Sequence, residues 1–306
     1  MGYPPIEQPY YYQPQFDPND PLVTPPDGGV AGWVSRISAT FKRSWRSVIS
    51  IIFVAQILPA LVLLLVIGGI VAAVVIADPD VVTRTLGFDP SDPSAEPDPA
   101  RLISIGIVAV AAGLVIGVVA AWFQSVTWAA ATWAIVREAA TGQRVRLGEA
   151  LGYGVRRSLA LWGWTLLGGL LYLLGLLACF LPGLYVLLGL MMLTPIVLFE
   201  RQGIGASFRA LHRNLLVIGV RAVIIWGVAQ AVGSMVGVVV QIPFAALMSA
   251  PDPVYLVVYS LAIVPVELVV LLPLSAFQII GTLLIYAEQR AQAAPLSTAQ
   301  LAAELG

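Results

Sequence analysis

The sequence predicts an all-α, polytopic membrane protein with six transmembrane helices. Of its 306 residues, 59% are hydrophobic and only 11% are charged, whereas soluble proteins contain about 25% charged residues. Six apolar runs reach or approach the roughly 20 residues with which a helix crosses the hydrocarbon core. These runs cover residues 48–77, 102–136, 159–178, 183–199, 215–248 and 254–287.

The distribution of charge predicts how the chain is threaded. Fourteen of the sixteen Lys and Arg residues lie before the first run, after the last run, or in the segments 137–158 and 200–221. The segment 78–101 is instead acidic and contains repeated Asp-Pro steps, which favour an irregular external loop. By the positive-inside rule, we expect a multi-pass protein of the cell membrane with its N-terminus and C-terminus in the cytoplasm.

Residues 1–32 precede the six-helix domain, which we place at 33–290. They are rich in Pro, Tyr, Gln and Asp, a composition typical of disordered segments. We expect a disordered cytoplasmic tail that is either solvated or bound by a protein partner, and a short cytoplasmic segment at 291–306. The run that begins at residue 48 lacks the short apolar core of a signal peptide, so we expect an uncleaved span.

Three predicted helix entrances share a spacing. The segments 39–49, 150–161 and 206–217 each place an Ala seven positions before an Arg. This pattern predicts three helical hairpins, each introduced by a short amphipathic helix on the cytoplasmic face. Because any cytoplasmic entrance tends to be basic and then apolar, the spacing also fits a chain without a repeat.

Two stretches of the sequence share a pattern with one known family. They contain Pro195, Glu200, Gly203, Ala206 and Arg209, and the Tyr-x-x-x-Arg ending formed by Tyr286 and Arg290. The chain resembles, over roughly residues 32–303, the membrane domain of glycerophosphoryl diester phosphodiesterases and related six-helix bacterial membrane proteins. Ala210 stands where many members have Ser. Because hydrolysis in those enzymes belongs to a separate soluble barrel, the resemblance implies a membrane module of unassigned role.

The remaining residue types argue against several classes of protein. A formal charge of -1 and a pI near 5.8 do not fit a nucleic-acid-binding protein. The single cysteine, Cys179, excludes an intrachain disulfide, and the single histidine, His212, has no companion for a zinc site. The sequence contains no phosphate-binding loop and no nucleophile elbow. We therefore expect no enzymatic activity, no cofactor and no metal.

Two ionisable residues lie inside apolar runs. Glu267 is a functional candidate because carboxylates within a membrane are rare, but counting about 20 residues back from Tyr286 places it near the outer interface. Breaks at Pro265 and Pro273 would change that depth. Glu267 is therefore either a proton- or cation-handling group or an interfacial, structurally paired carboxylate. Arg221 lies near the opposite end, so we expect it to extend to the headgroups rather than to pair with Glu267.

The basic helix entrances carry the leading functional hypothesis. Each cation near an anionic membrane surface contributes about 1 kcal/mol of attraction, so we expect a non-enzymatic membrane module that interacts with lipids or partner proteins. The alternative is a small transporter or permease with Glu267 in a membrane-embedded site, because interrupted helices often line substrate sites. The candidate contacts with lipid headgroups are Lys42, Arg43, Arg46, Arg156, Arg157, Arg209 and Arg213.

Overall fold

The computed structural model describes residues 17, 19–25, 28–78, 81, 85, 99–248 and 253–306. These residues form helices and connecting turns, with no strand among them. Two π-helical segments occur, Phe53–Ile57 after α1 and Ile196–Glu200 after α6. The α-helices in chain order are α1 (Gly29–Ile52), α2 (Leu58–Ala77), α3 (Pro99–Thr141), α4 (Leu147–Ala178), α5 (Phe180–Leu190), α6 (Leu193–Pro195), α7 (Ile204–Arg213), α8 (Leu215–Met248), α9 (Pro253–Ala293) and α10 (Thr298–Leu305).

Six helical segments in the described part of the chain are, by length and composition, able to cross a membrane. Each overlaps one of the six predicted apolar runs, which confirms the all-α class and the six apolar helices. Most of the predicted external loop lies outside the described residues. The six segments are Gly29–Ala77, Pro99–Thr141, Leu147–Ala178, Phe180–Glu200, Leu215–Val238 and Glu267–Ala293.

The hydrophobic core lies at the end of the bundle that carries the basic residues. Trp33 of α1, Ile135 of α3 and Tyr286 of α9 belong to one buried cluster. The opposite halves of α2 and α3 expose large apolar side chains, such as Leu65 at 64% and Ile107 at 65%. Helices that are apolar on every side suit the interior of a bilayer, so these exposed faces agree with a membrane environment.

Close helix packing depends on glycine at one position in particular. Helices α3 and α4 form the most extensive helix pair of the bundle. A Cβ atom added to Gly154 would lie 2.7 Å from the carbonyl oxygen of Val126, so only glycine allows this approach. The turn between these helices contains Gly142, whose φ of 68° also favours glycine.

The three predicted helix entrances differ from one another. Segment 39–49 lies within α1 and segment 150–161 lies within α4, so both continue into their spans. Only the third contains a separate short helix, α7, because Asn214 leaves the helical conformation with φ -143° and ψ 52°. Its side-chain amide donates hydrogen bonds to Gln289 at 2.5 Å and to Gln292 at 3.0 Å, which ties the end of α7 to α9.

Part of the predicted N-terminal tail contacts the rest of the chain. Residues 1–16 lie outside the described residues, whereas residues 19–25 are described and include buried side chains. Leu22 is fully buried, and a side-chain oxygen of Asp20 accepts hydrogen bonds from the backbone N–H groups of Leu22 and Val23, each at 2.9 Å. The apolar pair and the Asp20 turn therefore fix this part of the chain, and α1 begins at Gly29.

The last helix packs on the bundle. The hydroxyl of Ser297 accepts from the backbone of Gln300, whose side chain accepts in return from the backbone N–H of Ser297, the arrangement known as a capping box. Leu301 and Leu305 are buried. The segment 291–306 therefore contains α10, which covers part of the core.

Candidate functional site

A basic cleft lies between α7 and the last turns of α9. It has a volume of about 390 Å³. Five of the seven positions singled out by the family pattern line it, so two segments that are distant in the sequence meet at one place. These five positions are Glu200, Ala206, Arg209, Tyr286 and Arg290.

The chain reaches the cleft through an interrupted helix. Helix α6 ends at Pro195, and the π-helical segment Ile196–Glu200 follows it. Arg201 then adopts a left-handed conformation with φ 55° and ends the helix, a position usually taken by Gly. Because a side chain raises the energy of this conformation, the surrounding packing must hold the turn.

Gly203 allows α7 to begin close to α4. A Cβ atom at this position would lie 2.3 Å from the ring of Trp164, so a larger residue would force the ring or the helix to move. Gly205, in the same helical turn, has only Arg209 Nη1 at 3.9 Å from an added Cβ atom. In this fold the closeness of Trp164 therefore favours glycine at position 203, which is one of the positions of the family pattern.

Two side-chain hydrogen bonds orient α7 against the bundle. The hydroxyl of Ser207 donates to the carbonyl oxygen of Gly189 at 2.5 Å, and Tyr185 Oη lies 2.8 Å from His212 Nε2. These bonds hold the apolar face of α7 inward and its basic face outward. The inward face consists of Ile204, Ala206, Ser207 and Leu211, and the exposed face carries Arg209, His212 and Arg213.

A chain of polar contacts crosses the floor of the cleft. Tyr286 Oη donates to Glu200 Oε1 at 3.1 Å, and Arg290 Nη1 donates to Tyr286 Oη at 3.3 Å. Arg290 Nη2 also donates to Glu304 Oε1 at 3.0 Å, which connects the cleft to α10. The rings of Phe199 and Tyr286 stack with centroids 5.1 Å apart, so Tyr286 is fixed on both sides.

The remaining groups give the cleft an excess of positive charge. Arg209 donates to the neutral amide oxygen of Gln202 at 3.1 Å. Arg213 makes no side-chain hydrogen bond or ion pair within the described part of the chain. The Nε2 group of Gln289 is buried without a hydrogen-bond partner there. Among the described residues that line the cleft, Glu200 is the one acidic residue beside Arg209, Arg213 and Arg290, so the cleft can receive an anion.

The other predicted headgroup contacts divide into two groups. Lys42, Arg46 and Arg156 are exposed, and Arg157 is half-buried over the ring of Tyr153. Arg43 is half-buried, and its Nε and Nη2 atoms are buried without a hydrogen-bond partner within the described part of the chain. Its guanidinium therefore lies partly against the bundle, and contact of Arg43 with headgroups stays a prediction.

Arg221 does not extend to the headgroups, which corrects the prediction. It forms a buried, two-pronged ion pair with Glu288, at 2.6 Å for Nη1–Oε2 and 2.7 Å for Nη2–Oε1. The two side chains are only 3% and 5% exposed. The guanidinium also lies over the ring of Trp33 at 5.6 Å, a favourable cation–π geometry. Arg221 is therefore a structural residue that joins α1, α8 and α9.

Glu267 lies far from the basic cleft and from the ion pair between Arg221 and Glu288. Pro265 and Pro273 are accommodated within α9, which continues through them. Glu267 precedes Arg290 by 23 residues, or about 35 Å of helix at 1.5 Å per residue, so it lies beyond Arg221 at the opposite end of the bundle. It does not line the basic cleft. The transporter hypothesis based on Glu267 stays a prediction.

Sequence reasoning missed three buried polar residues that shape this end of the bundle. Glu288 directly follows the apolar run 254–287, where an acidic residue is unremarkable. Glu138 is 2% exposed and accepts hydrogen bonds from Ser47 Oγ and from the backbone N–H of Val145. Asp20 was assigned to a disordered tail. For Glu288 the sequence contains one signal: Glu288 and Arg221 lie at the same end of two successive apolar runs.

The fold and the cleft define a class: an all-helical chain with six helices able to cross a membrane and an arginine-lined cleft at their basic ends. The part of the chain that the structure describes holds no cluster of three His, Cys, Asp or Glu side chains arranged for a metal ion. Comparison of the chain with family models, curated proteins and solved structures finds no match. The resemblance to the phosphodiesterase membrane domain stays a prediction.

Proposed function

We propose that this chain is a multi-pass protein of the cell membrane that binds anionic lipid headgroups in its basic cleft. The observation that carries the proposal is the meeting of Arg209, Arg213 and Arg290 in one cleft beside the ends of the apolar helices. In this proposal the basic ends and both termini face the cytoplasm. The six helices act as three hairpins, and the role of the cleft is binding rather than catalysis.

The position of Arg213 relative to α8 supports a lipid as the ligand. Helix α8 begins at Leu215, and the next residue, Leu216, is 81% exposed. Leu216 follows Arg213 by three residues, and a change from arginine to exposed leucine is typical of the boundary between headgroups and hydrocarbon. A phospholipid whose phosphate group binds Arg213 would place its acyl chains beside Leu216.

The chemistry of the lining supports an anionic headgroup. The planar guanidinium presents paired N–H donors that match the oxygens of a phosphate. The carboxylate of Glu200 already accepts the hydroxyl of Tyr286, and the unpartnered amide of Gln289 is a further donor. A phosphate group would therefore satisfy donors that the protein leaves open.

The experiment compares lipid binding by two double variants with equal loss of charge. The purified protein is placed in phosphatidylcholine nanodiscs, and bound phosphatidylglycerol is measured by native mass spectrometry. Because each charge-assisted hydrogen bond to the phosphate contributes about 1.5 kcal/mol, Arg209→Gln with Arg213→Gln should weaken binding by about 3 kcal/mol, on the order of a hundredfold. Addition of inorganic phosphate to the same samples distinguishes a lipid site from a site for free phosphate.

The control variant combines Arg144→Gln and Arg146→Gln, both exposed positions outside the cleft and outside the predicted headgroup contacts. It should retain phosphatidylglycerol at nearly the affinity of the unmodified chain. Equal loss in both double variants would mean that general surface charge, and not the cleft, holds the lipid. Displacement of phosphatidylglycerol by inorganic phosphate at comparable concentrations would overturn the lipid assignment.

A further inference from the structure

A second cavity lies inside the bundle, midway along its helices. It has a volume of about 340 Å³ and is lined by residues of α3, α4, α5, α6, α8 and α9. Gln124 precedes Arg137 by 13 residues and Gln278 precedes Arg290 by 12, which corresponds to about 18–20 Å of helix. Since the hydrocarbon core is about 30 Å thick, the cavity is at the depth of the acyl chains.

Most polar side chains of this cavity have no hydrogen-bond partner in the described part of the protein, whereas Ser125 and Thr165 donate to backbone carbonyl oxygens of their own helices. None of its lining residues is charged. Thr282 is only 3% exposed, and in a membrane no bulk water can satisfy such a group, so leaving it unpaired is costly. Seven polar lining side chains make no hydrogen bond within the described part of the chain: Gln124, Trp128, Tyr172, Thr194, Trp226, Gln278 and Thr282.

The residues that line the cavity determine which kind of molecule can bind there. A charged molecule would find no countercharge at this depth and is disfavoured. The open amide and hydroxyl groups require hydrogen-bond donors and acceptors instead, and Gln278 and Thr282 are four residues apart on one face of α9. Leu161, Leu190 and Ile225 supply apolar walls. The occupant must therefore combine an uncharged polar group with an apolar body.

The cavity reaches the outer surface of the helices. Two of its lining residues, Gln124 and Gly169, are exposed. A Cβ atom added to Gly169 would meet no atom within 4 Å, so space remains at this edge. At this depth the surrounding medium is the acyl-chain layer, which gives a lipid-derived molecule a lateral route into the cavity.

The backbone is also interrupted at this site. Helix α5 ends at Leu190 and helical structure resumes at Leu193, and both residues line the cavity. Non-helical backbone at membrane depth is tolerated where it lines a cavity or is buried in protein. Interrupted helices commonly form ligand sites for this reason.

We propose that this cavity binds an uncharged amphiphile that enters from the acyl-chain layer. Its hydroxyl, ester or amide group would hydrogen-bond with Gln124, Gln278 and Thr282. The volume lies within the range of about 300–1,000 Å³ typical of small-molecule sites. This site is separate from the basic cleft and takes an uncharged ligand where the cleft takes an anion.

The experiment uses a diazirine-labelled monoacylglycerol as the probe. The full chain is placed in phosphatidylcholine nanodiscs, irradiated with the probe, and analysed by peptide mass spectrometry. Labelling should map to the cavity residues of α3, α4 and α9 and should be competed by unlabelled monoacylglycerol. The double variant Gln278→Leu with Thr282→Val keeps the side-chain volumes and should lower this labelling about tenfold.

Three controls make the result decisive. Ser275→Ala removes a hydroxyl from α9 that donates within the helix to Leu271, and it should leave labelling unchanged. A phosphatidylglycerol bearing the same diazirine should not label the cavity, and Arg209→Gln with Arg213→Gln should not affect the monoacylglycerol signal. Equal labelling of the Gln278→Leu, Thr282→Val variant, or equal labelling by both probes, would overturn the proposal. Absence of cavity labelling together with greater thermal stability of that variant would show a cavity that holds water only.

Discussion

Asp20 and Thr298 are 278 positions apart and are joined by two hydrogen bonds in which the carboxylate is the acceptor. The backbone N–H of Thr298 donates to Oδ2 at 2.8 Å, and its hydroxyl donates to Oδ1 at 2.6 Å. Both residues are buried, at 7% and 3% exposure. The N-terminal segment and α10 therefore form one structural unit.

This contact predicts that Asp20 stabilises the fold. Asp20→Ala leaves the N–H and hydroxyl of Thr298 buried without their acceptor, and should lower the free energy of unfolding by about 1–3 kcal/mol. Reversible SDS titration in mixed micelles measures this quantity. Asp17→Ala is the control, because Asp17 is exposed and, within the described part of the chain, its carboxylate accepts a hydrogen bond only from nearby Asn19. Equal losses in the two variants would contradict the prediction.

The buried ion pair between Arg221 and Glu288 predicts a larger effect. Glu288→Ala leaves a buried, uncompensated guanidinium and should lower the free energy of unfolding by about 3–5 kcal/mol. The double variant Arg221→Met with Glu288→Met should recover most of this loss, because an apolar pair of similar volume removes the buried charge. The same SDS titration applied to the single and double variants measures both effects.

The exposed ion pair between Arg290 and Glu304 is the matched comparison for the buried one. Its side chains are 30% and 33% exposed, so solvent screens it, and Glu304→Ala should cost less than about 1 kcal/mol. If Glu304→Ala and Glu288→Ala had the same effect, burial would not be the cause of the larger loss.

We expect an alanine at position 203 to cause a steric clash that an alanine at position 205 does not cause. Gly203→Ala introduces a Cβ atom 2.3 Å from Trp164, and the forced shift should cost about 1–3 kcal/mol. Gly205→Ala should be neutral or slightly stabilising, because its new methyl group meets only a flexible Arg209 side chain and alanine favours helices. Thermal unfolding of both variants in detergent checks the difference, and equal melting temperatures would refute the steric argument.

Cys179 provides a direct test of the proposed orientation. It is exposed and stands in the short connection between α4 and α5, which the proposal places outside the cell. A membrane-impermeant maleimide should label it in intact cells. In a Cys179→Ser background, Gln143→Cys in the turn after α3 should react only after permeabilisation. The reverse pattern would invert the proposed topology.

The sequence pattern was sufficient to predict the helices. It was not sufficient to predict which residues of different helices pair with each other. The apolar runs predicted the spans well, because length and hydropathy act locally along the chain. The helix ends at Gly29 and Ala293 extend beyond the predicted runs, because polar residues continue a helix once a span has started it. Five positions of the family pattern line the cleft, but only the fold shows that they meet there.

The sequence could not predict the roles of residues that depend on contacts between distant parts of the chain. Arg221 was expected at the membrane surface because nothing local indicated that Glu288 would lie against it. Asp20 resembled a residue of a disordered tail because its partner, Thr298, is at the other end of the chain. The cavity around Gln278 was equally hidden, since scattered neutral polar residues in apolar runs carry no periodic signal.

The hydrogen bonds between Asp20 and Thr298 limit how many times the chain can cross a bilayer. Two atoms within hydrogen-bonding distance must lie on the same side of a hydrocarbon layer about 30 Å thick. The chain between them must therefore traverse that layer an even number of times. A topology of five or seven crossings is incompatible with this pair of bonds, whatever the hydropathy of the individual segments.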